Sequence, residues 1–453
     1  MKRLSPVLLA ATLLTGAGPA TAAAPATMAP LDAAEIQFSY SKLTTEFYKK
    51  VEPQAVVDGA RTELEKALDE NGVHKALPKS IASANGSTNV RVIDQEVEDA
   101  SRLSAGKLSP HLLSYAAIAG MLSAVNDKYT VFLSPKDYAA LNQGLDGEKF
   151  SGTGIVIGQD DKTKEIAVNN VVPDGPADRA GVQQDDLITA IDGLPTKGLS
   201  IDQASLHLRG KEGTKVSLTI ERAGAQLPQP IVITREQIRE VSVFERMLPN
   251  KIGYVELTVF GKDTGSELNT ALTRLQQQGA RAIVMDLRDN GGGYLESAVE
   301  VSSKFIPSGP IVSVESRASQ ITTIEADNTA IAPVPLAVLV NGHTASASEI
   351  TSGAIQDSGV GTIVGTKTFG KGVVQTIYPL PDGSAVKITT ARYLTPRNRD
   401  INHIGISPDI AIDEPKGSHY GDPTRDQQLV RAMQFLTDKL AHMDPASNTS
   451  GGT

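Results

Sequence analysis

Apolar residues in the first third of the chain recur at mixed three- and four-residue steps. Phe38, Leu43, Phe47, Val51, Val56, Leu64 and Leu68 form one such series, and Leu112, Leu113, Ala116, Ile118, Met121, Leu122 and Val125 another. That spacing predicts amphipathic helices. Asn71-Gly72 breaks the first series, and residues 80–88 are small and polar, a loop by composition. From residue 150 the texture becomes short alternating or β-branched runs at 150–157, 165–172, 186–191, 215–221 and 231–234. Turn signals such as Pro173-Asp174-Gly175-Pro176 and Asp192-Gly193 separate them, and helical stretches are read only around 177–180 and 201–208. From residue 251 strands and helices alternate. Strands are predicted at 252–260, 282–287, 311–314, 336–340, 361–364, 373–380 and 385–391, and helices at 265–278, 295–305 and 346–356. Pro381-Asp382-Gly383-Ser384 reads as a hairpin turn. Such alternation argues for an α/β domain with βαβ crossovers. A last helix over 426–441 carries Leu429, Met433, Leu436 and Leu440 on one face, fit to pack within the chain or against a second subunit.

The chain therefore divides into a processing segment (1–22), a flexible lead-in (23–34) and a helical region (35–146) with an insertion near 71–110. A β-rich module (147–236), an α/β core (237–415) and a C-terminal helix with a polar tail (416–453) follow. The first segment has Lys2 and Arg3, an apolar stretch from Leu4 to Leu14 and the small-residue site Ala20-Thr21-Ala22. These are the parts of a secretory signal peptide, so an exported protein is expected, periplasmic or secreted. Were the segment to stay uncleaved, the protein would be membrane-associated. With no cysteine, disulfides and thiolate metal sites are excluded. The net charge of −9 and the lack of a long basic run argue against nucleic acid as a partner. No cluster has metal-ligand spacing, and no cofactor is expected.

Two runs carry the chemistry: Asn341-Gly342-His343-Thr344-Ala345-Ser346-Ala347-Ser348-Glu349 and Thr368-Phe369-Gly370-Lys371-Gly372-Val373-Val374-Gln375. A serine needs a base to take its proton, and a lysine kept neutral by burial can be that base. Free lysine titrates near ~10.4, so holding it neutral around pH ~7.5 takes on the order of 4 kcal/mol. Phe369 and Val373 are apolar neighbours able to supply that burial, and Gln375 can hold the amine by a hydrogen bond. Ser346 is the predicted nucleophile, Lys371 the base and Gln375 its support. Lys367 lacks the glycine frame and ranks below. Asp286-Leu287-Arg288-Asp289-Asn290-Gly291-Gly292-Gly293 forms a strand–helix corner whose amides can bind an anion, without the Lys-Ser/Thr of a P-loop. The better reading is an oxyanion hole from the N–H groups of Gly292 and Ala347. Each run also has a plainer reading: a close-packed helix start, an exposed turn lysine, a structural turn. Histidines, including His343 and His403, fall in no recognisable triad, and there is no Gly-x-Ser-x-Gly elbow.

Taken together and in order, these motifs resemble the carboxyl-terminal-processing peptidases, or tail-specific proteases. The resemblance covers about residues 110–412 and adds the motifs at 150–157, Gly175-Pro176-Ala177, Ala180-Gly181, 389–396 and 405–410. It implies a multidomain α+β protein with a helical N-terminal region, a PDZ-like domain and a crotonase/ClpP-like α/β serine peptidase core. It assigns the same roles to Ser346, Lys371, Gln375, Gly292 and Ala347. It also implies that Ser151, Gly152, Thr153 and Gly154 form a loop that captures a terminal carboxylate. Ile155 would begin the strand that receives the peptide, with Ala204 and Leu208 lining its pocket. The implied partners are polypeptides bound by their C-terminal tails, with a homo-oligomer or an adaptor protein left open. Gly291 and Thr344 stand where relatives often have proline and serine, and Arg397-Asn398-Arg399-Asp400 is more charged than usual. The competing functional readings are a noncatalytic PDZ-bearing peptide-binding protein on a peptidase scaffold, and an esterase.

Overall fold

The computed structural model describes residues 28–146, 149–159, 165–172, 174–199, 201–239, 241–317, 320–413 and 420–443. The expected signal segment, the first part of the lead-in and the polar tail lie outside them. The described chain forms two compact units: one runs to residue 45 and resumes over 50–132, and the other comprises 46–49 and everything from 133 onward.

The first unit holds the helices Pro30–Glu46, Pro53–Glu70, Gly86–Leu103 and Pro110–Ser123. Residues 30–34, expected in the flexible lead-in, instead open the first helix, with Asp32 buried. Capping sets the later starts. Asn85 accepts the amide of Ser87 at 3.0 Å, and Ser109 accepts that of Leu112 at 3.3 Å with Pro110 at the first helical position. The insertion expected near 71–110 contains a full helix whose stripe of Val90, Ile93, Val97 and Ala100 is buried. Gly59 and Gly120 lie back to back where their helices cross, and a Cβ on either would collide with the other's carbonyl oxygen. That close approach explains a glycine inside a strongly periodic helix.

In the second unit, residues 155–234 form a β-rich module. Its sheet runs in the order Ile155–Gln159, Ile166–Val171, Leu187–Ile191, Lys215–Arg222, with Ile231–Thr234 also paired to the last. Val216, Leu218 and Ile220 alternate inward onto Ile166, Val168, Ile188 and Ala204. Lys149–Gly152 pairs antiparallel with Glu236–Arg239, a polar strand that hydrophobic patterning does not announce.

The α/β core is a six-stranded sheet: Val243–Leu248 antiparallel to Ile252–Leu257, then Ala282–Asp286, Leu336–Val340, Thr362–Gly365 and Ile410–Ala411, all parallel. The central strands are buried at every position, as parallel strands covered on both faces must be. Alternation divides them cleanly. Ile283 and Met285 face a core shared with Leu268, Ala298 and Ile350, whereas Ala282 and Val284 face Leu429, Ala432, Leu436 and Leu440. The C-terminal helix Gln427–Met443 therefore packs within its own chain. A second, antiparallel sheet contains Pro310–Ser316, Ile321–Glu325, Val373–Pro379 and Ala385–Leu394. The predicted turn at 381–384 joins two of these strands, closed by Leu380 N–H on Ser384 O at 2.8 Å.

Candidate active site

The strand Leu336–Val340 delivers the chain into a tight corner before the helix Ala347–Ser358. Thr344 builds this corner: its hydroxyl accepts the Asn341 amide at 2.9 Å and donates to Leu287 O at 2.8 Å. Ser346 follows at the helix N-cap with φ 57° and ψ −117°, a strained conformation for a residue with a Cβ. The Gly-x-Ser-x-Gly motif is missing, yet the geometry is that of a strand-to-helix nucleophile elbow. Ser346 is half-buried.

One carboxylate organises the site. Glu349, fully buried, takes the Ser346 amide at 3.0 Å and the Lys371 amide at 2.8 Å on Oε2. On Oε1 it takes the Gly370 amide at 2.7 Å and the Thr368 hydroxyl at 2.5 Å. Four donors satisfy the hydrogen-bonding capacity of this buried carboxylate. Glu349 stands in the first motif but no role falls to it from residue type alone. Its signal is the Ser-x-x-Glu spacing of a capping box, in which the glutamate returns to the N-cap amide.

Lys371 is half-buried and Lys367 exposed. Gly370, at φ 86°, and Gly372 allow the loop to lie against residues 402–405; a Cβ on Gly372 would sit 2.6 Å from Asn402 N. Of the two apolar neighbours expected to shield the lysine, Val373 is buried but Phe369 is 48% exposed. Gln375 Nε2 donates to Val373 O at 3.3 Å.

Gly292 is brought against Ser346: a Cβ there would lie 2.7 Å from Ser346 Cβ and 2.9 Å from Ala347 N. Its amide, however, donates to Asn290 Oδ1 at 2.9 Å, so this expected oxyanion donor is engaged. The Asn290 carbonyl in turn receives Ala345 N–H and Ser348 Oγ, each at 3.0 Å, stitching the glycine-rich loop to the serine corner. Ala347 N–H is the first helical amide, a position with no partner inside its helix.

Behind this loop lies a buried charge network. Arg288 joins Asp286 to Asp426, and Tyr254 donates to Asp286 Oδ2 at 2.8 Å. Burial works against the Arg288 charge, but the two carboxylates outweigh it and hold its pKa above the usual value. Burial, then Asp286, pushes the Tyr254 hydroxyl well above its usual range, and the same two causes in the same order raise Glu256.

His343 Nδ1 lies 2.8 Å from Asp289 Oδ1, but the side chains are 76% and 51% exposed. A triad places its aspartate in the interior, and this pair does not. Among the described residues no group of three acidic or histidine side chains has metal-binding geometry.

In the β-rich module Gly154 has φ 75°, and Ile155 pairs with Val171. Ser151 and Gly152, expected in a carboxylate-binding loop, instead end the strand Lys149–Gly152, so only Thr153 and Gly154 are loop residues. The Thr153 carbonyl accepts Ala177 N–H at 3.0 Å and that of Ser151 accepts Gly210 N–H at 3.2 Å, which fixes the segment. Ala204 and Leu208, expected to line a pocket, are closed into the module's core, at 0% and 4% exposure. Ile201 and Leu206 are the exposed apolar residues of that helix. The module is tied to the core by Asn170 Nδ2 on Glu256 Oε2 at 3.0 Å and by an Arg246–Gln184 bond.

Comparison with known proteins agrees with this architecture. Residues 251–412 match peptidase family S41, and residues 167–222 match a PDZ domain. The carboxyl-terminal-processing protease of Picosynechococcus is 36% identical over 332 residues, spanning 72% of this chain and 80% of that protein. The chain belongs to the carboxyl-terminal-processing protease family. The Synechocystis protease of the same name is 37% identical over 334 residues, 72% of this chain and 78% of that protein. A solved structure of the photosystem II D1 C-terminal processing protease is 29% identical, with a TM-score of 0.46 over 85% of this chain and 94% of that one. As a member of this family the chain is a serine-type C-terminal processing peptidase with a PDZ domain, of multidomain α+β fold, and it acts on polypeptides.

Proposed function

We propose that this protease uses Ser346 as nucleophile and Lys371 as general base to cleave exported polypeptides near their C-termini, after its PDZ domain has bound the substrate's tail. The observation that carries this reading is the shared carboxylate: Glu349 Oε2 receives the amides of both Ser346 and Lys371. Two residues far apart in sequence are thereby referenced to one buried oxygen.

In this mechanism a neutral Lys371 amine takes the Ser346 proton as Oγ attacks the scissile carbonyl carbon. The charge arising on the carbonyl oxygen is met by the Ala347 N–H, the first amide of a helix. Gly292 adds the second donor when substrate displaces Asn290 Oδ1 from its amide. The lysine then passes its proton to the leaving amine, and water, deprotonated by the same lysine, releases the acyl group. Gln375, two residues beyond Val373 on the same strand face, orients the amine. The carboxylate of a bound tail would sit on the Ser151–Gly154 segment, at the end of the strand Lys149–Gly152, while the peptide extends the sheet beside Ile155. Export rests on the residue pattern at 1–22, and N-terminal sequencing of the mature protein checks it.

The test is labelling with a fluorophosphonate, followed by cleavage of an unfolded protein with a free or amidated C-terminus. Wild type is expected to label and to cleave the free-tailed substrate faster. Ser346→Ala and Lys371→Arg are expected to do neither, the latter because a guanidinium keeps its proton, whereas His343→Ala stays active. Full activity in Lys371→Arg would end the dyad reading. Equal rates on both tails would end the carboxylate-loop reading.

A further inference from the structure

Tyr393 lies near the end of the strand Ala385–Leu394, 1% exposed, with its ring in the core beside Ala347 and Ile350. Its hydroxyl reaches out of that core to two backbone carbonyls. One is Ser346 O at 3.1 Å; the other is Lys371 O, in a closer contact. Its own amide donates to Gly372 O at 3.1 Å, so Tyr393 grips the Lys371–Gly372 segment from two sides. We propose that Tyr393 is a positioning residue for the peptidase reaction, its hydroxyl fixing the nucleophile and base relative to one another by holding both of their carbonyls.

A buried phenol needs only one partner to be satisfied. Here a single hydroxyl is placed between two acceptors from different segments, and those acceptors belong to the two residues assigned to proton transfer. Glu349 already fixes the two amides. Ser346 is held on its other side as well, its carbonyl accepting the amides of Glu349 at 2.8 Å and Ile350 at 3.0 Å, whereas a grip on the Lys371 amide leaves its carbonyl side to be fixed. Tyr393, sharing its one proton between the two carbonyls, ties the carbonyl side of Lys371 to the helix start that already fixes Ser346, leaving mainly side-chain torsions to vary. Transfer of a proton from Oγ to an amine depends on a separation within hydrogen-bond reach. A displacement of about 1 Å in such a pair can cost on the order of 100-fold in rate.

This inference rests on the Ser346–Lys371 reading, and the experiment separates the two. Wild type, Ser346→Ala and Tyr393→Phe are compared for fluorophosphonate labelling, kcat, KM and the pH profile of kcat/KM, with a thermal melt as the control for folding. Phenylalanine keeps the ring and removes only the hydroxyl. The expected result is a kcat lowered roughly 10- to 100-fold with KM unchanged, and an acid limb displaced because the base sits in altered surroundings. A purely structural hydroxyl would lower the melting temperature and leave kcat and the pH profile alone, which overturns the proposal. Should Tyr393→Phe not fold, a fluorinated tyrosine placed at 393 keeps the donor but loses its proton at lower pH. Activity should then disappear on the alkaline side earlier than in wild type, and an unchanged alkaline limb overturns the proposal. A wild type that neither labels nor cleaves removes the dyad reading itself, and this inference with it.

Discussion

Arg288 and Asp426 meet through two parallel bonds, Nη1 to Oδ1 at 3.0 Å and Nη2 to Oδ2 at 2.6 Å, each side chain 1% exposed. Asp426 also accepts the amides of Gly421 at 2.9 Å and Leu429 at 3.0 Å, so the start of the C-terminal helix is fastened to the strand end that carries the glycine-rich loop.

Asp426→Ala leaves a buried guanidinium half-paired and uncaps the helix. The expected loss is about 3–5 kcal/mol of unfolding free energy. Urea denaturation measures it, and Asp426→Asn should lose less because one acceptor oxygen remains.

Glu349→Gln conserves volume but replaces an acceptor with an amide donor. At least one of the four groups now pointing at the carboxylate would then face an N–H. Stability should drop by about 1–3 kcal/mol, the cost of an unsatisfied buried polar group. Peptidase turnover should fall by roughly 100-fold, since Ser346 and Lys371, the proposed nucleophile and base, lose their common reference. Steady-state kinetics on a variant shown to be folded by circular dichroism decides it.

Gly59→Ala and Gly120→Ala each force a methyl against a backbone oxygen, which no rotamer change relieves. Each should destabilise the helical unit by about 1–3 kcal/mol, the usual range for overpacking. Because both variants separate the same two helices, the double variant should lose less than the two single losses combined. Thermal melts of the three proteins test this.

Asp94 in the helical unit is pushed up to about 6, first by burial and then by the neighbouring Glu98 carboxylate. Its Oδ1 is buried without a hydrogen-bond partner among the described residues. Between its ordinary value of 3.8 and about 6 the folded state binds more protons than the unfolded chain. Stability from this group is therefore present at low pH and lost as pH rises through that window. Asp94→Asn should flatten the dependence of unfolding free energy on pH between about 4 and 6.

Much of the core was legible because its burial is written in local pattern. The strand Leu336–Val340 is an unbroken apolar run, and Val216, Leu218 and Ile220 alternate with polar residues, so both lie where periodicity puts them. Ile321–Glu325 escaped because it is an edge strand, mostly exposed, with no apolar face to betray it. Ile410–Ala411 is too short for any period. At the site, Ser346, Lys371 and Gly292 were legible as reactive or permissive residue types in recognisable frames. Tyr393 was not, because what matters is which backbone oxygens its hydroxyl meets, and those come from segments distant in sequence. The engagement of Gly292 by Asn290 was equally invisible: the spacing permits an Asx turn but does not say which acceptor wins the amide.

The strained backbone of Ser346, at φ 57° and ψ −117°, is an expense borne by every folded molecule whether or not it ever meets a substrate. Glycine tolerates such torsions, and strain of this kind is worth about 1–3 kcal/mol. Ser346→Gly should thus melt at or above the wild-type temperature while being inert, whereas Ser346→Ala, which keeps its Cβ, should melt close to wild type. Reactivity in this fold is held against a thermodynamic gradient, so drift in the absence of selection would run toward sturdier, silent descendants.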